Sequence, residues 1–328
     1  MSNQLKYIIL GLLTVFVALC SLILGAVSIP IQEVFSILCG QDGVPAHWHY
    51  IVWQMRVPAM LTAALTGASL GVAGLLLQSY FRNPLAGPSI LGITNGANLG
   101  VALVIVGTGT SAAFNTIGAA LAGAMLTLLL LLGIGRLVRQ SVTLLIVGIL
   151  LSYLTSAILT LIHYNASADG VQALLLWGMG SFHQVGLTNL PLFAASTLLP
   201  LLAALWLIRP LNGWMLGELY ARNLGISTTQ VRWLVLIVTG VICAITTAWC
   251  GPIAFIGLSI PHVARMAFHT DNHRTLLPAT MLLGALCALL CLCLCVAPSD
   301  GQILPINAVT PLFGIPVILW VILGKRKQ

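Results

Sequence analysis

Acidic residues are scarce in this chain, with six Asp and Glu among 328 residues. Basic ones number thirteen, so charged residues make up 6% where a soluble domain carries about 25%. Such a chain cannot cover a water-facing surface. Hydrophobic residues reach 59% and mean hydropathy is +1.07, so its solvent must be lipid. In hydrocarbon every backbone N–H and C=O has to be paired internally, which leaves helices or closed barrels. The alternation that barrel strands need is missing, because 126–132 and 144–151 read as continuous apolar stretches. The chain is therefore expected to be an all-α polytopic membrane protein, a single transmembrane domain over 1–328.

Other absences narrow the function. There is no G-x-x-x-x-G-K-[ST] phosphate loop, since Gly324-Lys325 is the only Gly-Lys pair, so nucleotide chemistry must belong to a partner. No carboxylate lies in an apolar segment away from its ends, which argues against a proton- or sodium-coupled carrier. No H-E-x-x-H is present, and neither a G-x-S-x-G nor a His-Glu pair accompanies His163 or His183, so the chain reads as no enzyme. The two histidines are ordinary interfacial residues or substrate contacts. Of the eight cysteines, Cys287, Cys291, Cys293 and Cys295 share one segment, with 287, 291 and 295 on one helix face. Small apolar packing residues explain them better than a soft-metal site, because no carboxylate is near. No resident metal, cofactor or nucleic-acid partner is expected.

What is present is a set of apolar stretches of spanning length at ten places: 6–28, 58–80, 93–107, 114–135, 142–163, 191–208, 233–250, 254–268, 275–297 and 306–324. An extra helix is expected over 169–182. The first stretch exceeds a signal-peptide core, and Leu19-Cys20 lacks the small residue that precedes a lipidated cysteine, so it should stay uncleaved. Alternating the segments from an inside N-terminus puts Lys6, Arg82, Arg136, Arg139, Arg209, Arg222, Arg232, Arg265, Arg274, Lys325, Arg326 and Lys327 on one side. Arg56 alone falls on the other, with Glu33, Asp42, Asp169 and Asp300. The positive-inside rule then predicts cytoplasmic N- and C-termini. Gly87-Pro88 and Gly251-Pro252 each open a short helix, one from each side, which is the mark of an inverted repeat of helices 2–5 and 7–10.

Six passages carry a resemblance: Trp53–Pro58, Gln78–Pro88, Leu91–Ala97, Trp177–Ser181, Gly217–Ile226 and Gly251–Arg265. Taken in order over nearly the whole chain, they resemble the FecCD permeases of type II ABC importers for iron–siderophores, haem and cobalamin. The resemblance implies a bacterial inner-membrane subunit that pairs with a second copy of itself. It also implies two cytoplasmic ABC ATPase subunits and a periplasmic or lipid-anchored substrate-binding protein. Substrate would pass between the two permease copies by alternating access.

Leu216–Ile226 reads as a short exposed helix with Glu218 and Arg222 at i,i+4 and a closing glycine. The resemblance assigns it to ATPase coupling through Gly217, Glu218, Ala221, Arg222, Leu224, Gly225 and Ile226, with His262 and Arg265 as weaker partners. It places a cytoplasmic gate at Asn83, Leu85, Ser141 and Val142, positions that capping and a Pro84 turn would also explain. Gly148, Gly178 and Gly180 are expected to let backbones approach. Arg56 is expected to dock the binding protein, although Ala59 stands where the family commonly has a second arginine and 297–305 carries Asp300 but no base. Competing readings are a secondary, ion-coupled transporter with inverted repeats and an intramembrane enzyme. The substrate among siderophore, haem and cobalamin is not readable.

Overall fold

A computed structural model describes residues 2–41, 43–108, 113–138, 140–296 and 303–324. Asp42, Arg139, Asp300, Lys325, Arg326 and Lys327 therefore lie outside the described residues. In chain order the helices are α1 (Asn3–Ile23), α2 (Ile31–Leu38) and α3 (Ala46–Tyr50), which runs through a π-helical turn, Ile51–Arg56, into α4 (Val57–Phe81). After a 3-10 turn at Pro88–Leu91 come α5 (Ile93–Thr108), α6 (Ala113–Leu137), α7 (Ser141–Asn165) and α8 (Ala168–Gly178). A second such turn, Phe182–Gln184, leads to α9 (Leu190–Trp206), α10 (Ile208–Met215) and α11 (Glu218–Asn223). The chain continues through α12 (Thr228–Cys250), α13 (Ile256–Phe268), α14 (His273–Val296) and α15 (Ile306–Gly324). No strand occurs among the described residues.

All ten apolar stretches fall on helices. By length and composition α1, the continuous α3–α4, α6, α7, α12 and α14 can each cross a membrane. The pair α9–α10, bent by 49°, makes a seventh crossing if taken as one span. The remaining three, α5, α13 and α15, are shorter or interrupted by proline. Short breaks of this kind are tolerated where protein covers the freed backbone. The extra helix expected at 169–182 is α8 plus the following 3-10 turn. Helices α2, α3 and α10 lie outside the ten stretches; each is short, and tertiary packing rather than a long apolar run sustains it.

Helix α4 is the axis of the bundle, packed against α14, α12, α13 and α9. Lipid tails are as apolar as leucine, so helices associate here through close packing of small residues. Gly67, Ala68, Ser69, Gly71, Ala73 and Gly74 of α4 are all buried. A Cβ at Gly67 would run into the carbonyl oxygen of Gly284 on α14, and one at Gly284 into that of Gly67. Glycine is required at that crossing. Cys291 and Cys295 are buried in the cluster that α14 forms with α4. The pattern Gly67-Ala68-Ser69-Leu70-Gly71 does spell G-x-S-x-G, but Ser69 is fully buried in mid-helix rather than raised on a strand-to-helix turn.

Candidate coupling and gate site

The last turn of α4 is a hub whose residues each reach a different element. Gln78 donates from Nε2 to the Leu258 carbonyl (2.9 Å) and accepts from Arg265 Nη1 (2.7 Å), which ties α4 to α13. Ser79 donates to His273 Nε2 at the start of α14 (2.7 Å). The His273 Nδ1–H and backbone N–H both donate to Asn212 Oδ1 of α10, at 2.7 and 2.9 Å. Because that oxygen can only accept, the imidazole is fixed with its proton on Nδ1, and both ring nitrogens are satisfied. The Tyr80 carbonyl accepts from Trp214 Nε1 (2.9 Å), and the two rings stack with centroids 5.3 Å apart and planes 17° from parallel. Arg82, left-handed at φ 48°, ends the helix and donates to the Trp214 carbonyl.

The predicted gate residues hang from this hub. Asn83 Oδ1 accepts from the Leu85 N–H (2.9 Å), forming a tight turn over Pro84, and Leu85 is exposed. The Pro84 carbonyl accepts from His262 Nε2 (2.7 Å). Ser141, the first residue of α7, makes a long 3.4 Å contact to the Tyr80 hydroxyl, and Val142 beside it is exposed. The fold thus brings Asn83, Leu85, Ser141 and His262 to one end of the bundle, the end carrying Arg82, Arg232 and Arg265.

His262 and Arg265, the weaker coupling candidates from the sequence, bond inward within the chain. His262 is 6% exposed, and the Arg265 guanidinium is turned onto Gln78, with Asp271 3.4 Å away. A cation leaving water needs acceptors, and the end of α4 supplies them. From the sequence Gln78, Ser79 and Tyr80 entered only as part of the Gln78–Pro88 passage, with no role of their own, and Asn212, Trp214 and His273 were not singled out. The one signal was polar and aromatic residues clustered at the end of a long apolar helix.

Helix α11 is shorter than the Leu216–Ile226 expected. Gly217 (φ 129°) breaks it from α10, and Gly225 (φ 75°) turns the chain back so that the Ile226 N–H reaches the Ala221 carbonyl at 3.0 Å. Ala221 is buried, and a side chain at Gly213 of α10 would collide with Ile226. The outer face carries Leu216, Leu219, Tyr220 and Leu224, all exposed. Arg222 and Glu218 pair at 2.7 Å with both side chains more than half exposed, a contact worth about 0–1 kcal/mol.

At the opposite end Arg56, expected from the sequence to dock the binding protein, caps the end of α1. It is 5% exposed and donates to the Leu22 (2.8 Å), Ile23 (2.9 Å) and Val27 carbonyls. The last carbonyls of α1 have no intrahelical donor, and the guanidinium provides several at once. A cavity of about 160 Å³ adjoins it, lined by Gly25, Ala59, Leu292 and His183 among others. Burial pushes the His183 imidazole below its ordinary value, and its Nε2 has no hydrogen-bond partner among the described residues. His163 lies elsewhere, in a cavity of about 310 Å³ with Asn98, Trp177 and Gly178. A Cβ at Gly148 or Gly180 would crowd the carbonyl of Ile90 or Pro252, whereas one at Gly178 would meet no described atom within 4 Å.

The two passages that open with Gly-Pro pack against each other, Gly257 against Pro88 and Gly87 near Leu258. They line one cavity of about 110 Å³ with Ser89, Thr94, Thr246, Thr247 and Phe255.

A membrane bundle with paired broken segments around a shared cavity, and a small glycine-hinged helix on its basic end, has the features of a transport permease. The chain belongs to the FecCD transport family, whose model matches residues 13–324. It is 37% identical over 290 residues to the vitamin B12 import system permease protein BtuC of Salmonella paratyphi A, covering 87% of each chain. The BtuC of Salmonella typhi matches at the same identity and coverage. Among solved structures it is similar to an inward-facing conformation of a putative metal-chelate type ABC transporter. That match has a TM-score of 0.86 at 33% identity and covers 98% of this chain and 99% of that one. The fold is that of a type II ABC importer permease, and the chain is an ABC importer permease of the FecCD family.

Proposed function

We propose that the whole chain acts as one permease domain which, paired with a second copy, carries a bulky metal chelate of the cobalamin class across the bacterial inner membrane. The observation that carries this reading is α11. Its leucines and tyrosine stand exposed at the basic end, held out by two glycines in conformations that disfavour other residues. An apolar face there fits the docking surface of a cytoplasmic ATPase, which would put both termini in the cytoplasm. The Asn83–Leu85 turn and Ser141–Val142 then form the inner gate, and a binding protein delivers substrate at the Arg56 end. The substrate class rests on the vitamin B12 and metal-chelate relatives. Siderophore and haem are the remaining members of that class.

The test is ATP-driven uptake of cyanocobalamin by proteoliposomes holding this permease, its ATPase and its binding protein. ATP-dependent accumulation is expected. Accumulation driven by a proton or sodium gradient without ATP would overturn the reading. ATP-dependent uptake of a ferric siderophore or haem, and none of cyanocobalamin, would correct the substrate only. Gly225→Val should assemble with the ATPase at least tenfold less well, because a β-branched residue cannot hold φ 75° without strain.

A further inference from the structure

The connection from α9 to α12 touches the rest of the bundle on both sides of α11, and both contacts converge on the beginning of α7. On the α10 side Trp214 is buried, stacked on Tyr80 and hydrogen-bonded to its carbonyl, with Arg82 closing over the indole at 5.6 Å. Stacking, bond and cation–π contact together make this joint stiff. The Tyr80 hydroxyl then meets Ser141 at 3.4 Å, too long for a strong O–H···O bond. The stiff joint faces the coupling segment and the loose one faces the gate.

On the α12 side, Ser227 caps the helix by accepting from the Gln230 N–H. Arg232, in the next turn, donates through Nη1 to the Val138 carbonyl and through Nη2 to the Gly135 carbonyl, both at 2.6 Å. Gly135 lies in the last turn of α6 and Val138 just beyond its end, where helix carbonyls run out of intrahelical donors. The planar guanidinium holds them as a fork, a geometry that lysine cannot reproduce. The end of α6 is therefore fixed to α12, while the start of α7 rests lightly on α4, which is itself fixed to α10.

We propose that these two arms, Trp214–Tyr80 and Arg232, transmit displacement of α11 to Ser141 and Val142 and so set the inner gate. This rests on the coupling and gate reading above. Any motion that changes the separation of α10 from the start of α12 must move the end of α6 relative to α4, and α7 begins between them. The long Ser141–Tyr80 contact is a weak point at which the start of α7 can part from α4. None of these residues needs to touch substrate or nucleotide; they are positioning residues.

The experiment uses the permease–ATPase complex with all eight native cysteines replaced and Val142→Cys introduced as a reporter. In the parent complex ATP should change the rate of thiol labelling at this site several-fold. Tyr80→Phe, which keeps the stack and removes the hydroxyl, and Arg232→Lys should each reduce that change. Together they should abolish it while assembly and ATP hydrolysis persist. A double variant whose labelling responds to ATP as the parent does would overturn the arms alone. A parent complex that binds no ATPase would remove the coupling reading and the arms with it. If Arg232→Lys fails to fold, Tyr80→Phe combined with Trp214→Phe decides, since Trp214→Phe keeps an aromatic ring but loses the Nε1–H. An unchanged ATP response in that pair overturns the proposal, and a lost response with assembly retained supports it.

Discussion

Helices α4 and α7 are each 25 residues long and mainly apolar, yet the bundle treats them in opposite ways. In the span that contains α4, 78% of the most apolar window is buried; in α7 the figure is 6%. The difference lies in side-chain size. Helix α4 spends its middle on glycine, alanine, serine and threonine, which let α12, α13 and α14 approach its backbone. Helix α7 presents Ile146, Leu150, Tyr153, Leu154 and Leu161 outward, where lipid or a second copy can cover them. Apolarity brought both helices into the membrane, and residue volume decided which one became the axis.

Bulk added to α4 should have the largest effect of any single change. Gly67→Leu drives a side chain into the Gly284 backbone, and overpacking there should cost roughly 3 kcal/mol or more. The expected result is loss of the monodisperse detergent-solubilised species on size exclusion, and a normal elution profile and melting temperature would break the comparison. Next in size is Arg56→Gln at the foot of the same helix. It strips donors from the α1 carbonyls and should destabilise by about 1–3 kcal/mol in thermal unfolding. Gly25→Leu should act through the same contact, because its side chain would occupy the place of the guanidinium. Weakened binding-protein affinity for Arg56→Gln at unchanged melting temperature would restore the docking role instead.

Bulk removed from α7 should matter much less. Leu150→Ala, at a position 60% exposed, should shift single-chain stability by no more than about 0.5 kcal/mol. If α7 faces a second copy, the same change lowers dimer yield in cross-linking without changing the melting temperature. A large loss of monomer stability would show that α7 packs more tightly within its own chain than the structure has it. The smallest effect is expected off the bundle altogether. Glu218→Ala breaks the exposed pair on α11 and should change stability by less than about 0.5 kcal/mol at physiological salt.

Much of the fold was legible in the residue order. Ten apolar stretches became helical, with ends such as 58–80 against Val57–Phe81 and 93–107 against Ile93–Thr108. The motif positions Asn83, Leu85, Ser141 and Gly217–Ile226 gathered at the basic end. The hub was not legible, because Ser79 and Tyr80 bond to residues more than a hundred positions away. The cap at Arg56 was hidden in a similar way, since its partners belong to the end of another helix. As a lone charge beside a membrane segment it read as a surface handle, whereas the end of α1 folds over it.

By itself the sequence determined that the chain lives in lipid, that it is helical, and which helix ends carry the positive charge. It could do so because a bilayer leaves the backbone one economical way to pair its polar groups, and because charge at helix ends orients insertion. Only the tertiary structure decided that α4 is the axis and α7 the periphery, that Arg56 is a cap, and that Trp214, Tyr80 and Arg232 bracket the start of α7. Hydropathy separates lipid from water but not lipid from protein, since both are apolar. That second choice is made by the fit of small residues between neighbouring backbones, and it exists only once those helices have met.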